Sequence, residues 1–146
     1  MSLHIEERDR EGIVILDLKG QLTLGHADTQ LRDTLAALHE SGKVNIILNL
    51  QEVTEIDSTG LGTLVFGLAR LRKAGGRLAL LNVNRAHLKL FLLTRLAIAF
   101  EFFADEQDAV DSFFLDRELK HFDVLEFVQH EEDTSLKRVN PTGLLK

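Results

Sequence analysis

The feature that most constrains this chain is a buried strand, a polar turn and an amphipathic helix that follow one another directly between Val44 and Gly76. The strand is a nearly continuous apolar run, typical of a strand covered on both faces, formed by Val44, Ile46, Ile47, Leu48 and Leu50. Helical spacing then relates the apolar residues Leu61, Leu64, Val65, Leu68 and Ala69, which predicts one buried helical stripe. Gly75 and Gly76 end this helix.

The turn between strand and helix leaves several interpretations open. Asp57, Ser58 or Thr59 could each supply the oxygen that caps the first free backbone N–H groups of the helix. Ser58 is then either only a cap or a hydroxyl that is used chemically. Gly60 and Gly62 either allow close packing in the first helical turn or leave the backbone bare for another protein to approach.

The rest of the chain alternates strands with helices. We predict a hairpin from 3–8 and 12–18, a loop at 20–25, a helix from Ala27 to about Gly42, a strand over 77–83, a helix over 85–95 and a last helix from Asp105. Residues 97–103 fit a final strand or a buried helical turn. The fold class predicted is α/β, with a mixed, mostly parallel sheet of about five strands and about four helices. Because ligands and partners of such sheets meet the carboxyl ends of strands, we expect the Leu22 to His26 loop to lie near Ser58.

Length and composition set the domain boundaries. A chain of 146 residues suits one domain, which we place at 1–118, followed by an acidic C-terminal extension, 119–146, that is partly disordered. Within the extension, 121–128 fits a strand by alternation and a helix by the spacing of its apolar residues.

Composition also limits the partners. Residues 1–100 hold 12 basic and 11 acidic side chains, and residues 101–146 hold 5 and 12, so the chain lacks the basic field that nucleic acid binding requires. Cysteine is absent, which agrees with a reducing compartment, and no apolar run approaches the length of a membrane span. We therefore expect a cytoplasmic protein.

Catalytic and cofactor motifs are incomplete. Ser58 lies in the sequence I-D-S-T-G, which lacks the first glycine of the nucleophile elbow G-x-S-x-G. The glycines at 60 and 62 lack the spacing and the lysine of a phosphate-binding loop, and the histidines show no paired spacing for a metal. We expect no enzyme, cofactor or metal, although a serine enzyme that uses Ser58 as its nucleophile stays an alternative.

These residues also carry a resemblance. The order of hairpin, helix and buried strand, then D-S-T-G-L-G opening a helix that ends in K-A-G-G-R before a second buried strand, resembles the STAS domain of bacterial anti-sigma factor antagonists. The resemblance implies a partner switch in which an anti-sigma factor serine kinase binds and phosphorylates this turn at Ser58. It also implies a partner-binding set of Thr23, Asp57, Ser58, Thr59, Gly60, Leu61 and Gly62.

One position departs from the pattern, because Gly20-Gln21-Leu22 is followed by Thr23 where many members carry an acidic residue. The unmodified antagonist of that family sequesters the anti-sigma factor and so frees a sigma factor. An alternative keeps the fold without the phosphoswitch, as a STAS scaffold subunit of a stress-signalling or lipid-transport complex. A homodimer also stays open.

Overall fold

The computed structural model describes residues 3–114 of the chain. Its elements are β1 Leu3–Arg10, β2 Ile13–Leu22, α1 His26–Glu40, β3 Asn45–Ile56, α2 Ser58–Lys73, β4 Arg77–Leu81, α3 Arg85–Leu93, a 3₁₀ turn Leu96–Ile98, β5 Glu101–Phe103 and α4 Glu106–Asp111. The predicted extension, 119–146, lies outside the described residues.

The five strands form one sheet in the order β1-β2-β3-β4-β5. The opening hairpin pairs β1 with β2 in antiparallel fashion, and every later neighbour pair is parallel. Two neighbouring parallel strands need a crossover connection, which here is a helix. Each crossover places the next strand directly beside the previous one, so the strand order in the sheet equals the order in the sequence. The prediction of a mixed, mostly parallel α/β sheet is confirmed.

The two faces of the sheet carry different layers. The larger core packs buried residues of α1, α2 and α3 against one face, with Leu31, Leu64 and Phe91 each fully buried. A smaller cluster on the other face joins Ala109 and Val110 of α4 to Ile15 and neighbouring strand residues. Among residues 3–114, three helices therefore form one layer on one face of the sheet, and α4 lies on the other face.

Helix α4 is fixed to the hairpin by charged side chains. The Arg8 Nε donates to Asp17 Oδ2 at 2.6 Å, and the Arg8 Nη1 donates to Glu106 Oε2 at 3.0 Å. Arg10 adds a contact of 2.6 Å from its Nη1 to Glu106 Oε2. Hydrogen bonds from Arg8 first, and then from Arg10, lower the pKa of Glu106 to about 2. The start of α4 is thus tied to the edge strand.

Two predicted boundaries were wrong. Strand β2 continues to Leu22, where a loop was expected from Gly20, and β3 continues past Leu50 to Ile56. The two strands keep pairing through register shifts on either side of Lys19–Gly20, so that Leu22 still lies opposite Ile56. Burial of these two side chains stabilises the longer pairing. Hydropathy did not predict it, because both segments contain polar residues and the pairing depends on irregular register.

The ambiguity over 97–103 has a mixed outcome. The chain makes a 3₁₀ turn at Leu96–Ile98 and then the short strand β5 at Glu101–Phe103, so the strand is confirmed for its last three residues, whereas the helical turn has no buried residue and the expectation of a buried turn was wrong. Within residues 3–114, no helix combines the length and the apolar character that crossing a bilayer requires.

Candidate functional site

The candidate site lies at the end of β3, which extends beyond the neighbouring strand β4. The last pair between β3 and β4 joins Asn49 to Leu81, and beyond it β3 runs on to Ile56 beside β2 alone. The turn that opens α2 is therefore carried past the end of β4. Such an overhang exposes the turn while keeping it attached to two paired strands.

Asp57 organises this turn. Its Oδ1 accepts a hydrogen bond from the Gly60 N–H at 2.8 Å, which makes it the N-cap of α2. Its Oδ2 accepts from the Leu24 N–H at 2.9 Å, in the loop after β2. Backbone hydrogen bonds from Leu24 first, and then from Gly60, hold the pKa of Asp57 below its ordinary value. The expected adjacency of the Leu22 to His26 loop and the Ser58 turn is confirmed.

Ser58 is the first residue of α2 and is exposed. Because Asp57 provides the cap, the interpretation of Ser58 as the helix cap is wrong. Its hydroxyl instead projects at the positive end of a 16-residue helix, where a negative charge is favoured.

The two glycines of the turn have different surroundings. A Cβ added to Gly60 would lie 1.9 Å from the Leu22 backbone oxygen, so only glycine fits where α2 meets the loop after β2. A Cβ on Gly62 would meet nothing within 4 Å. Close packing therefore explains Gly60, whereas Gly62 leaves an exposed stretch of bare helix backbone.

The remaining predicted partner-binding residues divide by exposure. Thr23 and Thr59 are half-buried, and the Thr59 carbonyl accepts a hydrogen bond from the Thr63 hydroxyl at 3.1 Å. Leu61 is only 6% exposed and belongs to the larger core. Its side chain therefore supports the turn from beneath, while Ser58 and Gly62 are open to solvent.

Three exposed apolar residues near the turn were not in the predicted set. Leu24 is 76% exposed, and Val65 and Phe66 lie on the outer side of α2 at 36% and 39%. The guanidinium of Arg32 lies 4.7 Å from the centroid of the Phe66 ring. The prediction that Val65 and Ala69 belong to the buried stripe of α2 was wrong, because both are exposed.

A signal for these residues exists in the sequence. From Ser58 to Ala69 the helix contains no charged residue, which leaves more apolar side chains than one buried stripe can accommodate. Among residues 3–114 no group of three metal-ligating side chains is close enough to hold an ion.

Comparisons with known proteins agree with this architecture. The family model described as the STAS domain matches residues 4–109. The anti-sigma-B factor antagonist of Bacillus subtilis (strain 168) is 30% identical over 96 residues, which cover 66% of this chain and 86% of that protein. The corresponding antagonist of Staphylococcus aureus is also 30% identical, over 66% of this chain and 88% of the relative.

Solved structures extend the likeness to the fold. The anti-sigma factor antagonist SpoIIAA in its unphosphorylated form superposes with a TM-score of 0.61 at 26% identity, covering 76% of this chain and 96% of that chain. SpoIIAA in its phosphorylated form, from Bacillus, also gives 0.61 at 26% identity, over 75% and 99% of the two chains. A protein of Thermotoga maritima with 24% identity gives 0.70 over 74% and 92%, a likeness of fold alone.

Proposed function

This chain belongs to the STAS domain family of anti-sigma factor antagonists, and from that premise we propose that it is a partner-switching regulatory protein. Unphosphorylated, it binds an anti-sigma factor serine kinase through the surface around Ser58. Phosphorylation of Ser58 by that kinase releases it. We propose a cytoplasmic binding protein rather than an enzyme, without a metal or cofactor, whose domain spans 1–118.

The observation that carries the proposal is the placement of Ser58. The side chain is exposed at the first position of α2, on a turn that extends past the end of β4. Asp57, not Ser58, caps the helix. A kinase can therefore reach the hydroxyl without unfolding the turn. The bare backbone at Gly62 and the exposed Leu24, whose N–H binds Asp57, offer a surface that a protein can cover.

The position of Ser58 at a helix N-terminus explains why the domain would stay folded after phosphorylation. A phosphoserine adds about −1.5 to −2 charges and three acceptor oxygens. At a helix N-terminus that charge is stabilised by roughly 0.3 to 1 kcal/mol, so we expect the phosphorylated domain to stay folded.

The same charge would weaken the complex. A partner that covers Leu24 and Gly62 removes water from the phosphate, and leaving that charge unpaired costs on the order of 2 kcal/mol or more. Glu55 and Asp57 add like charges beside it. Because each 1.4 kcal/mol is about tenfold in affinity, a loss of more than tenfold on phosphorylation is expected.

Thr23 has a neighbour that could compensate for its missing charge. The carboxylate of Asp57 reaches the loop that contains Thr23 through the 2.9 Å bond to the Leu24 N–H. We propose that Asp57 provides the negative charge of this part of the binding surface, with Thr23 and Thr59 as neutral hydrogen-bonding neighbours.

The relatives support this proposal in the words of their names. SpoIIAA has been solved both unphosphorylated and phosphorylated, and both forms superpose on this chain equally well. A fold that accommodates both states elsewhere is compatible with a switch that changes charge without rearranging the backbone.

The direct test is incubation of the full chain with its cognate anti-sigma factor kinase and ATP, followed by mass mapping of the modified residue. We expect one phosphate on Ser58, none in Ser58→Ala, and normal modification of Thr59→Ala, the matched neighbour control. Modification elsewhere, or none at all, would refute the phosphoswitch.

A second measurement tests the charge mechanism. Ser58→Asp should keep the thermal stability of the wild type and lose at least tenfold in affinity for the kinase, since it adds one negative charge where phosphate would add about two. Wild-type affinity in this variant would contradict the mechanism.

A further inference from the structure

Five large apolar side chains are more than a third exposed among residues 3–114, and all five lie on the side of the sheet covered by three helices. They are Leu24 at 76%, Val65 at 36%, Phe66 at 39%, Leu93 at 83% and Ile98 at 92%. They belong to the loop before α1, to α2, to the end of α3 and to the 3₁₀ turn. Single exposed apolar residues need no explanation, but several in one layer indicate an interaction surface.

The outer face of α2 runs from the loop that contains Leu24 to the 3₁₀ turn that contains Ile98. Its exposed positions run from Ser58 through Gly62 and Val65 to Ala69 without a charge. Over this stretch the helix offers apolar and bare backbone surface for about three turns. The surface around Ser58 therefore continues along α2 instead of ending at the turn.

The far end of α2 lies against the 3₁₀ turn. The Arg72 Nη2 donates to the Ala99 carbonyl oxygen at 2.7 Å, and Ile98 directly precedes this acceptor. Fourteen residues of α-helix separate Ser58 from Arg72, which corresponds to about 21 Å along the helix axis. Ile98 is thus an exposed apolar residue at the end of α2 remote from Ser58, and the outer face of α2 joins the two ends.

The two ends of this surface carry opposite charge. Acidic side chains stand at the Ser58 end: Asp28, Glu55 and Asp57, with Arg85 at the start of α3 as the basic exception. Basic side chains stand at the other end: Arg70, Arg72, Lys73 and Arg95, with Glu40 at the end of α1 as the acidic exception. A partner that matches both ends must carry basic groups opposite Ser58 and acidic groups opposite Lys73 and Arg95.

We propose that one protein partner covers the whole surface from Leu24 to Ile98, in an orientation fixed by this charge gradient. The inference rests on the proposed function and deepens it by dividing the surface into a switch end at Ser58 and an anchor end at Ile98. The anchor end lies about 20 Å from the phosphate, beyond the Debye length of about 8 Å at physiological salt. Phosphorylation therefore weakens contacts at one end and leaves the other end unchanged.

Photo-crosslinking in the native cell tests the footprint. The full chain carries benzoylphenylalanine in place of Leu24, of Ile98, or of Glu6, an exposed control position on the opposite side of the sheet. We expect Leu24 and Ile98 to capture the same protein, identified by mass spectrometry as an anti-sigma factor kinase, and Glu6 not to capture it.

Each other outcome has a definite meaning. Capture of the kinase from Leu24 alone, or of different proteins from the two ends, would overturn the extended footprint and leave the switch at Ser58 standing. Capture from neither end would overturn both proposals.

Charge reversal tests the orientation with the partner so identified. Lys73→Glu should weaken binding about three- to tenfold at low salt, mainly through a slower association rate, and the loss should shrink at high salt. The ratio of affinities between unphosphorylated and phosphorylated protein should not change. Lys19→Glu makes the same charge change on the opposite face and should have no effect. Equal losses for the two variants would refute a directed charge gradient.

Discussion

Helices α2 and α3 are built alike but end up in different environments. Each follows a parallel strand and starts at a side-chain cap, with Asp57 accepting from the Gly60 N–H at 2.8 Å and Asn84 accepting from the His87 N–H at 2.9 Å. Both starts bury the third and fourth helical residues, Gly60 and Leu61 in α2 and His87 and Leu88 in α3, but the first residue of α3, Arg85, is half-buried. The start of α2 presents Ser58 to solvent.

Strand length and one extra hydrogen bond account for the difference. β3 has 12 residues and β4 has 5, so only the turn before α2 is carried past the sheet. The second carboxylate oxygen of Asp57 then binds the Leu24 N–H, a task that an asparagine cap does not perform for α3. The strand-turn-helix unit that forms the candidate site differs from the other one because its turn extends past the sheet and its cap binds two separate segments.

Of the substitutions at the start of α2, Gly60→Ala should lower the free energy of unfolding most. The added Cβ would lie 1.9 Å from the Leu22 backbone oxygen, and neither segment can retreat without disturbing the Asp57 hydrogen bonds. We expect a loss of about 3 kcal/mol in the free energy of unfolding, measured by urea denaturation.

Gly67→Ala in the same helix is the matched control. Its Cβ would approach Leu35 Cδ1 at 2.7 Å, the end of a side chain that can rotate away. The loss should therefore be clearly smaller than for Gly60→Ala. Equal losses would show that the close approach of α2 to Leu22 is not what requires glycine.

Asp57→Ala should cost more than the equivalent change at α3. It removes two hydrogen bonds to a charged acceptor, for which we expect about 2 kcal/mol, whereas Asn84→Ala should cost about 1 kcal/mol. Urea denaturation of both variants measures this difference.

Acid separates the two caps further. Because hydrogen bonds lower the pKa of Asp57, its stabilisation is complete above the ordinary carboxyl pKa and is lost as pH falls through the lowered value. The gap between wild type and Asp57→Ala should narrow in acid, while the gap for Asn84→Ala should not. A pH-independent gap at Asp57 would contradict a charged cap.

Glu106→Gln examines a third helix start, where arginines rather than backbone amides hold the carboxylate. The pKa of Glu106 is lowered to about 2 by Arg8 and Arg10, from an ordinary value of 4.5. Its contribution is therefore complete above 4.5 and disappears as the pH falls towards 2. Since these side chains are partly exposed, we expect only about 1 kcal/mol at neutral pH, measured by thermal or urea unfolding.

Salt distinguishes this contact from the cap of α2. The loss in Glu106→Gln should shrink at high salt, whereas the loss in Asp57→Ala should change little. Glu7→Gln, which removes an exposed pair with Lys43 at 3.5 Å, provides the control and should cost less, about 0.5 kcal/mol, which lies within the range for exposed pairs. A salt-independent loss at Glu106 would contradict the ion-pair account.

The sequence predicted the sheet and the turn well because both depend on local pattern. Hydrophobic runs such as Ile46 to Leu48 and the capping residues around Ser58 act over a few positions and can be read directly. The overhang could not be read, since the pairing of Leu22 with Ile56 depends on register shifts that arise only when two strands meet. The prediction that Val65 is buried was wrong for a similar reason. Periodicity shows which residues are apolar, but it does not show which apolar face of the helix its neighbours cover.

Gly62→Ala has the smallest expected effect on stability and separates stability from binding. With no atom within 4 Å of the added Cβ, the change should stabilise the exposed helix by up to about 1 kcal/mol, seen as a higher urea midpoint. On the proposed function, the same methyl group would hold the partner away from the bare backbone beside Ser58, so we expect weaker binding to the kinase from a more stable protein. Ala86→Gly, at an exposed position near the start of α3, is the converse control and should lose stability without changing affinity. If Gly62→Ala gained stability and kept full affinity, the partner would not approach α2 at this point, and the exposed glycine would need another explanation.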